Sequence, residues 1–254
     1  MKSKVKNDAL IFALIMLLAT AVRLIPAAFF ENRFDIGSYN IPWAIYGADD
    51  PFGIYGATLQ QFFLDYPPII PFCFTFFGNA ILAARESGIW QLEMLYIKLV
   101  PVVFDLATVA LIYFISKNYN IKRVWLPALL WALNPVTIYN CAFWGQTDCV
   151  LLFFLIAMAW AISRDMPYFA SIAFAFSCLS KMQMAYFAPL LILWLFCRKS
   201  GFVKSALALL SGLAVGVLGW LPFMRRGEWL ALPWRIYFGG FEKYTEVNKG
   251  AANI

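Results

Sequence analysis

Histidine is missing altogether from this chain of 254 residues. Its absence removes Ser-His-Asp and Cys-His nucleophile schemes, H-E-x-x-H metalloprotease sites and histidine proton shuttles. Any acid or base must therefore be Asp, Glu, Lys or Tyr. Charge is scarce as well, at 13% of residues. The five cysteines, Cys73, Cys141, Cys149, Cys178 and Cys197, are odd in number and scattered, with no C-x-x-C. Neither a disulfide framework nor a zinc site is indicated. Internal repeats and low-complexity segments are also lacking, which weakens a secondary-transporter architecture built from two related halves.

What is present is apolar. Hydrophobic residues make up 63% of the chain and aromatics 19%, with a mean hydropathy of +0.72. That is far above the norm for globular domains. Runs such as 9–30 and 124–139 approach the roughly 20 residues that a membrane-spanning helix needs. The chain reads as an all-α polytopic membrane protein whose first partner is the lipid bilayer. Its net charge of +6 then speaks to membrane orientation, not to nucleic acid. The N-terminus MKSKVKND and the Ala19-Thr20-Ala21 triplet resemble a signal peptide, but the apolar run continues past Arg23 to Phe30. An uncleaved first helix is the better reading.

Basic residues in short loops set orientation. Lys2/Lys4/Lys6, Lys117/Lys122/Arg123, Arg164 and Arg198/Lys199/Lys204 share one side if the chain crosses about seven times. The expected crossings are residues 9–29, 97–116, 124–140, 149–163, 168–181, a sixth ending by Arg198, and 205–223. Parity then forbids residues 67–84 from being an ordinary span, and Pro67, Pro68 and Pro71 make a poor helix interior. That stretch becomes a re-entrant or juxtamembrane helix inside a long first outer segment, 30–96. Residues 1–254 form one membrane-embedded unit.

On this layout the polar residues converge outside. Asp35, Tyr39 and Trp43 recur every four residues, one face of a helix, although Pro42 would interrupt it. Next come L-D-Y-P-P-I-I-P (64–71), K-L-V-P-V-V-F-D-L (98–106), N-P-V-T-I-Y-N-C-A-F-W-G-Q-T-D (134–148) and L-S-K-M-Q (179–183). The last long block places Asn140, Trp144, Gln146 and Asp148 at a break between apolar runs, where a carboxylate is a functional candidate by default. A tight turn with an interfacial Trp anchor is the plain alternative.

In this order these segments resemble the GT-C glycosyltransferases, in particular bacterial proteins related to the GPI-anchor mannosyltransferases. The pattern departs at Cys141, where the family has Ser, at Met182, where it has Pro, and at the ending E-V-N-K-G-A-A-N-I, where the family continues through further helices, so the resemblance implies a C-terminal truncation. The resemblance implies a membrane hexosyltransferase, in the bacterial inner membrane and facing outward. It would move a sugar with inversion from a polyprenyl-phosphate donor to a glycan, lipid or protein acceptor. By position in the first outer loop, Asp35 would be the catalytic base. Substrate would meet Tyr39, Trp43, Tyr66, Lys98, Asp105, Trp144, Gln146, Asp148, Lys181, Gln183, Arg225 and Arg226.

The chemistry of such a transfer needs one base, and positive charge where the phosphate departs. Lys98, Lys181 and Arg225/Arg226 are the cationic candidates. Lys181 could instead snorkel from a helix end, the arginines could meet lipid headgroups, and Asp105 could form a buried ion pair. Asp35 and Asp148 could also sit as a glycosidase-like pair or bind a divalent metal; no cofactor is otherwise indicated. A transporter or flippase for a lipid-linked sugar, and a non-catalytic membrane subunit, are the competing expectations.

Overall fold

The structure, a computed structural model, describes residues 2–56, 64–198, 201–224 and 231–243. Among these the chain is helical throughout, with no strand. Three helices are long and apolar enough to cross a membrane: α1 (Lys2–Phe29), α5 (Trp90–Asn118) and α11 (Phe202–Trp220), which a 3₁₀ turn extends to Phe223. The protein is an integral membrane protein, and its described residues hold three such helices, or four candidate spans if the bent pair α3 (Ile69–Thr75) and α4 (Gly78–Glu86) counts as one.

Between α1 and α3 lie a π-helical segment (Arg33–Asn40), α2 (Ile41–Tyr46) and a 3₁₀ turn (Pro51–Gly56). After α5 come α6 (Leu126–Ala132), α7 (Pro135–Ile138), a second π-helical segment (Tyr139–Trp144), α8 (Asp148–Ser163) and α9 (Pro167–Cys178). A 3₁₀ turn (Met182–Phe187) leads into α10 (Ala188–Cys197), and α12 (Ala231–Lys243) closes the described chain. The long helices pack in the order α1, α5, α8, α9, α11, with α4 and α6 also against α5.

Seven crossings are not evident in this architecture. α8 has 16 residues and α9 has 12, so at 1.5 Å per residue they reach about 24 and 18 Å, short of the roughly 30 Å hydrocarbon core. The expected span 124–140 is broken. Asn134 turns the backbone to ψ 115°, caps the Val136 amide at 2.9 Å, and is followed by Pro135, which cannot continue the ladder. Residues 69–86 bend by 46° between α3 and α4, in keeping with the irregularity that the prolines before them foretell. Pro42, by contrast, does not interrupt its helix. It sits in the first turn of α2, where its missing N–H has least effect.

The largest buried cluster lies where the segment after α1, the start of α5 and the 141–150 stretch meet. It includes Ile36, Trp43, Ile54, Ile70, Phe74, Ile97 and Val150. Elsewhere large apolar side chains face outward, as on α11 with Leu207, Leu210, Leu213, Val217 and Leu218. Exposed apolar surface on this scale suits lipid.

Candidate functional site

Gly145 ends the second π-helical segment at φ +81°, a left-handed conformation that favours glycine. A Cβ there would lie 2.6 Å from Ile36 Cδ1. The close approach lets the W-G-Q stretch lie directly against the segment that carries Asp35. Asp35 Oδ2 accepts from Trp144 Nε1 at 2.5 Å and from Gln146 Nε2 at 2.8 Å. Asn32 completes the seam: its Oδ1 caps the Asp35 amide at 3.0 Å and its amide donates to the Trp144 carbonyl at 3.2 Å.

Lys98 lies beneath this seam, fully buried. Its ammonium donates to the Phe30 carbonyl at 2.6 Å and the Phe143 carbonyl at 2.9 Å. It ties the end of α1 to the W-G-Q stretch and is not presented to a phosphate.

Asp148, the first residue of α8, precedes that helix's apolar run. Its Oδ1 pairs with Lys181 Nζ at 2.6 Å, and its Oδ2 accepts from Asn140 at 3.1 Å. Burial pushes the carboxyl up, but the Lys181 charge and the two hydrogen bonds outweigh it and hold the group below the usual carboxylate range. Lys181 also stands 5.1 Å from the Tyr66 ring centre. Tyr66, Trp43 and Tyr39 follow in a ring-to-ring series at 5.3 and 6.3 Å. The Ile69 amide donates to the Leu179 carbonyl at 3.1 Å, which fastens the L-S-K turn to the start of α3. Gln183 is exposed on the next 3₁₀ turn, outside this network.

Asp105 belongs to a separate, fully buried arrangement. Arg23 Nε donates to its Oδ2 at 2.6 Å, Trp131 Nε1 donates to its Oδ1 at 3.0 Å, and Arg23 Nη1 reaches the Ala132 carbonyl at 2.9 Å. Both side chains of the ion pair are 0% exposed, so the Asp105 carboxylate is enclosed by Arg23 and Trp131. Arg23 did not stand out in the sequence reading, yet a lone arginine inside a span-length apolar run is itself the signal. Arg225 and Arg226 lie outside the described residues. Among the described residues no group of three or more Cys, Asp or Glu could hold a metal ion.

These features define a class: a helical integral membrane protein in which Asp35, Lys98, Asp148 and Lys181 at the polar break are each held by protein groups, a carbonyl, an opposite charge or a side-chain donor. The family profile of GPI transamidase subunit PIG-U matches residues 67–232, and the chain belongs to that family. No curated protein and no solved structure gives a significant match.

The family match overturns the GT-C glycosyltransferase reading and its hexosyltransferase activity. The polyprenyl-phosphate sugar donor and its acceptor go with them as partners. A bacterial inner-membrane location rested on the same resemblance and loses its support. The geometry supplies the physical reason: the two lysines that were to neutralise a departing phosphate are already engaged, Lys98 by carbonyls and Lys181 by Asp148. Asp35, Tyr39, Trp43 and Tyr66 precede the matched segment.

Proposed function

We propose that this chain is a non-catalytic membrane subunit of a GPI transamidase-type assembly, in which other subunits carry the bond-making chemistry. The observation that carries this reading is the PIG-U match across residues 67–232. The engagement of Lys98 by carbonyls, of Lys181 by Asp148 and of Asp105 by Arg23 supports it, because a group whose hydrogen bonds are already taken is a poor proton carrier or phosphate ligand. Asp35, Trp144 and Gln146 then act as a keystone that fixes the Arg33–Asn40 segment against the break before α8. Further crossings by the shorter apolar helices, up to seven with 30–96 as one outer segment, fit the basic loops at one membrane face. They would require local thinning of the bilayer around them.

The test is depletion and add-back. Membranes of the source cell lacking this chain are assayed for attachment of GPI to a reporter proprotein. Loss of attachment, with recovery when the full chain is restored, is the expected result. Unchanged attachment in its absence, or turnover by the purified chain alone, overturns the proposal.

A further inference from the structure

The membrane face opposite the polar break carries a basic rim that the proposed function does not use. α5 runs from Trp90, near Lys98, to Asn118, and α8 runs from Asp148 to Ser163. The far ends of these helices therefore point away from the carboxylate network. Three contacts join them into one surface. Tyr119 Oη and Ser163 Oγ share a short hydrogen bond, Arg164 stacks 5.7 Å over the Tyr119 ring, and Arg198 pairs with Asp165 at 2.5 Å. Tyr113 Oη reaches the Asp8 carbonyl at 3.5 Å and brings the start of α1 to the same end.

Lys117, Lys122, Arg123, Arg164 and Lys204 are exposed on this rim. Among the described residues none of the five pairs with a carboxylate. The carboxylates at this end are Asp8 and Asp165, and Asp165 is taken by Arg198. Charge alone would suit any anionic partner. Apolar side chains interleaved with the cations decide between them: Ile121 is 43% exposed beside Lys122, and Phe202 and Val203 are 74% and 69% exposed beside Lys204. The outward face of α11 continues directly from that point as Leu207, Leu210 and Leu213. Cations bordering an uninterrupted apolar helix face match a bilayer, where headgroup phosphate lies next to acyl chain.

We infer that this rim binds anionic phospholipid headgroups, through Lys117 in the last turn of α5 and Lys122 and Arg123 on the α5–α6 loop, together with Arg164 and Lys204. The interaction holds the chain at a fixed depth and is independent of the transamidase reading.

The experiment uses the purified full chain in nanodiscs of phosphatidylcholine with or without phosphatidylglycerol, with retained lipid counted by native mass spectrometry. The native chain is expected to retain phosphatidylglycerol in preference to phosphatidylcholine, and less so as salt rises. Joint Lys117→Gln, Lys122→Gln, Arg123→Gln and Lys204→Gln substitution should weaken that retention about tenfold or more. The charge-conserving set Lys117→Arg, Lys122→Arg and Lys204→Arg should keep it, as should Arg85→Gln near the other face. Undiminished phosphatidylglycerol retention by the neutralised set would overturn the inference. So would equal retention of the two lipids, or loss in the charge-conserving set. If the neutralised set lost only an acidic protein partner, the surface would be a protein interface.

Discussion

Arg23 and Asp105 show what a charge inside a membrane helix requires. Each meets part of the other's hydrogen-bonding capacity, while Trp131 and the Ala19 and Ala132 carbonyls take up more of it. The pair thereby links α1, α5 and the end of α6. Removing one partner should leave an uncompensated buried charge, at about 3–5 kcal/mol. Arg23→Met or Asp105→Leu alone should therefore lower the thermal midpoint of the detergent-solubilised protein sharply. The double substitution should recover most of the loss, because two apolar groups need no partner. Equal midpoints for the single and double variants would show that the pair is not coupled. The sequence presented Asp105 as a choice between ion pair and substrate contact. Its partner was less apparent because it stands 82 positions earlier in the chain, and spacing says nothing about contacts at that range.

At the scale of elements, local chemistry explains most of the breaks. Asn134-Pro135 ends one helix and caps the next, and Pro67-Pro68 precedes α3. Pro67-Pro68 was readable as an interruption of an apolar run, whereas Asn134-Pro135 falls inside the expected span 124–140 and breaks it. The π-helical form of Arg33–Asn40 and Tyr139–Trp144 was not readable, since wide turns of this kind are set by tertiary packing and are frequent at functional sites. Gly145 closes the second of them. Gly145→Ala should destabilise the protein by roughly 1–3 kcal/mol, because alanine is strained at positive φ and its Cβ would press on Ile36 Cδ1 at 2.6 Å. Thermal unfolding in detergent reads the change directly; a midpoint equal to the native one would mean that the W-G-Q stretch is not held against Asp35 in this way.

For the whole molecule, composition was enough to assign the membrane class, and basic loops were enough to propose an orientation. The number of spans was harder to read. Apolar runs in the sequence count residues, whereas α8, α9 and α10 show that such runs can fold into helices shorter than the bilayer. The candidate site was legible in part: Asp35 with Trp144 and Gln146, and Asp148 with Lys181, do come together. Their chemistry was misread, because an ordered set of Asp, Lys, Trp and Gln looks the same whether the residues face substrate or each other. The geometry and the family match together favour the second use.

That distinction is testable at Asp35. Asparagine keeps an acceptor oxygen for Trp144 and Gln146 but has no useful basicity, whereas alanine leaves both donors unpaired. If Asp35 is a structural keystone, Asp35→Asn restored to depleted membranes should support GPI attachment within about threefold of the native chain, and Asp35→Ala should assemble less well, since two hydrogen bonds worth about 0.5–1.5 kcal/mol each are lost. A loss of about 10²-fold or more in Asp35→Asn, with the protein folded and assembled normally, is what removal of a general base produces, and that result would contradict the non-catalytic account.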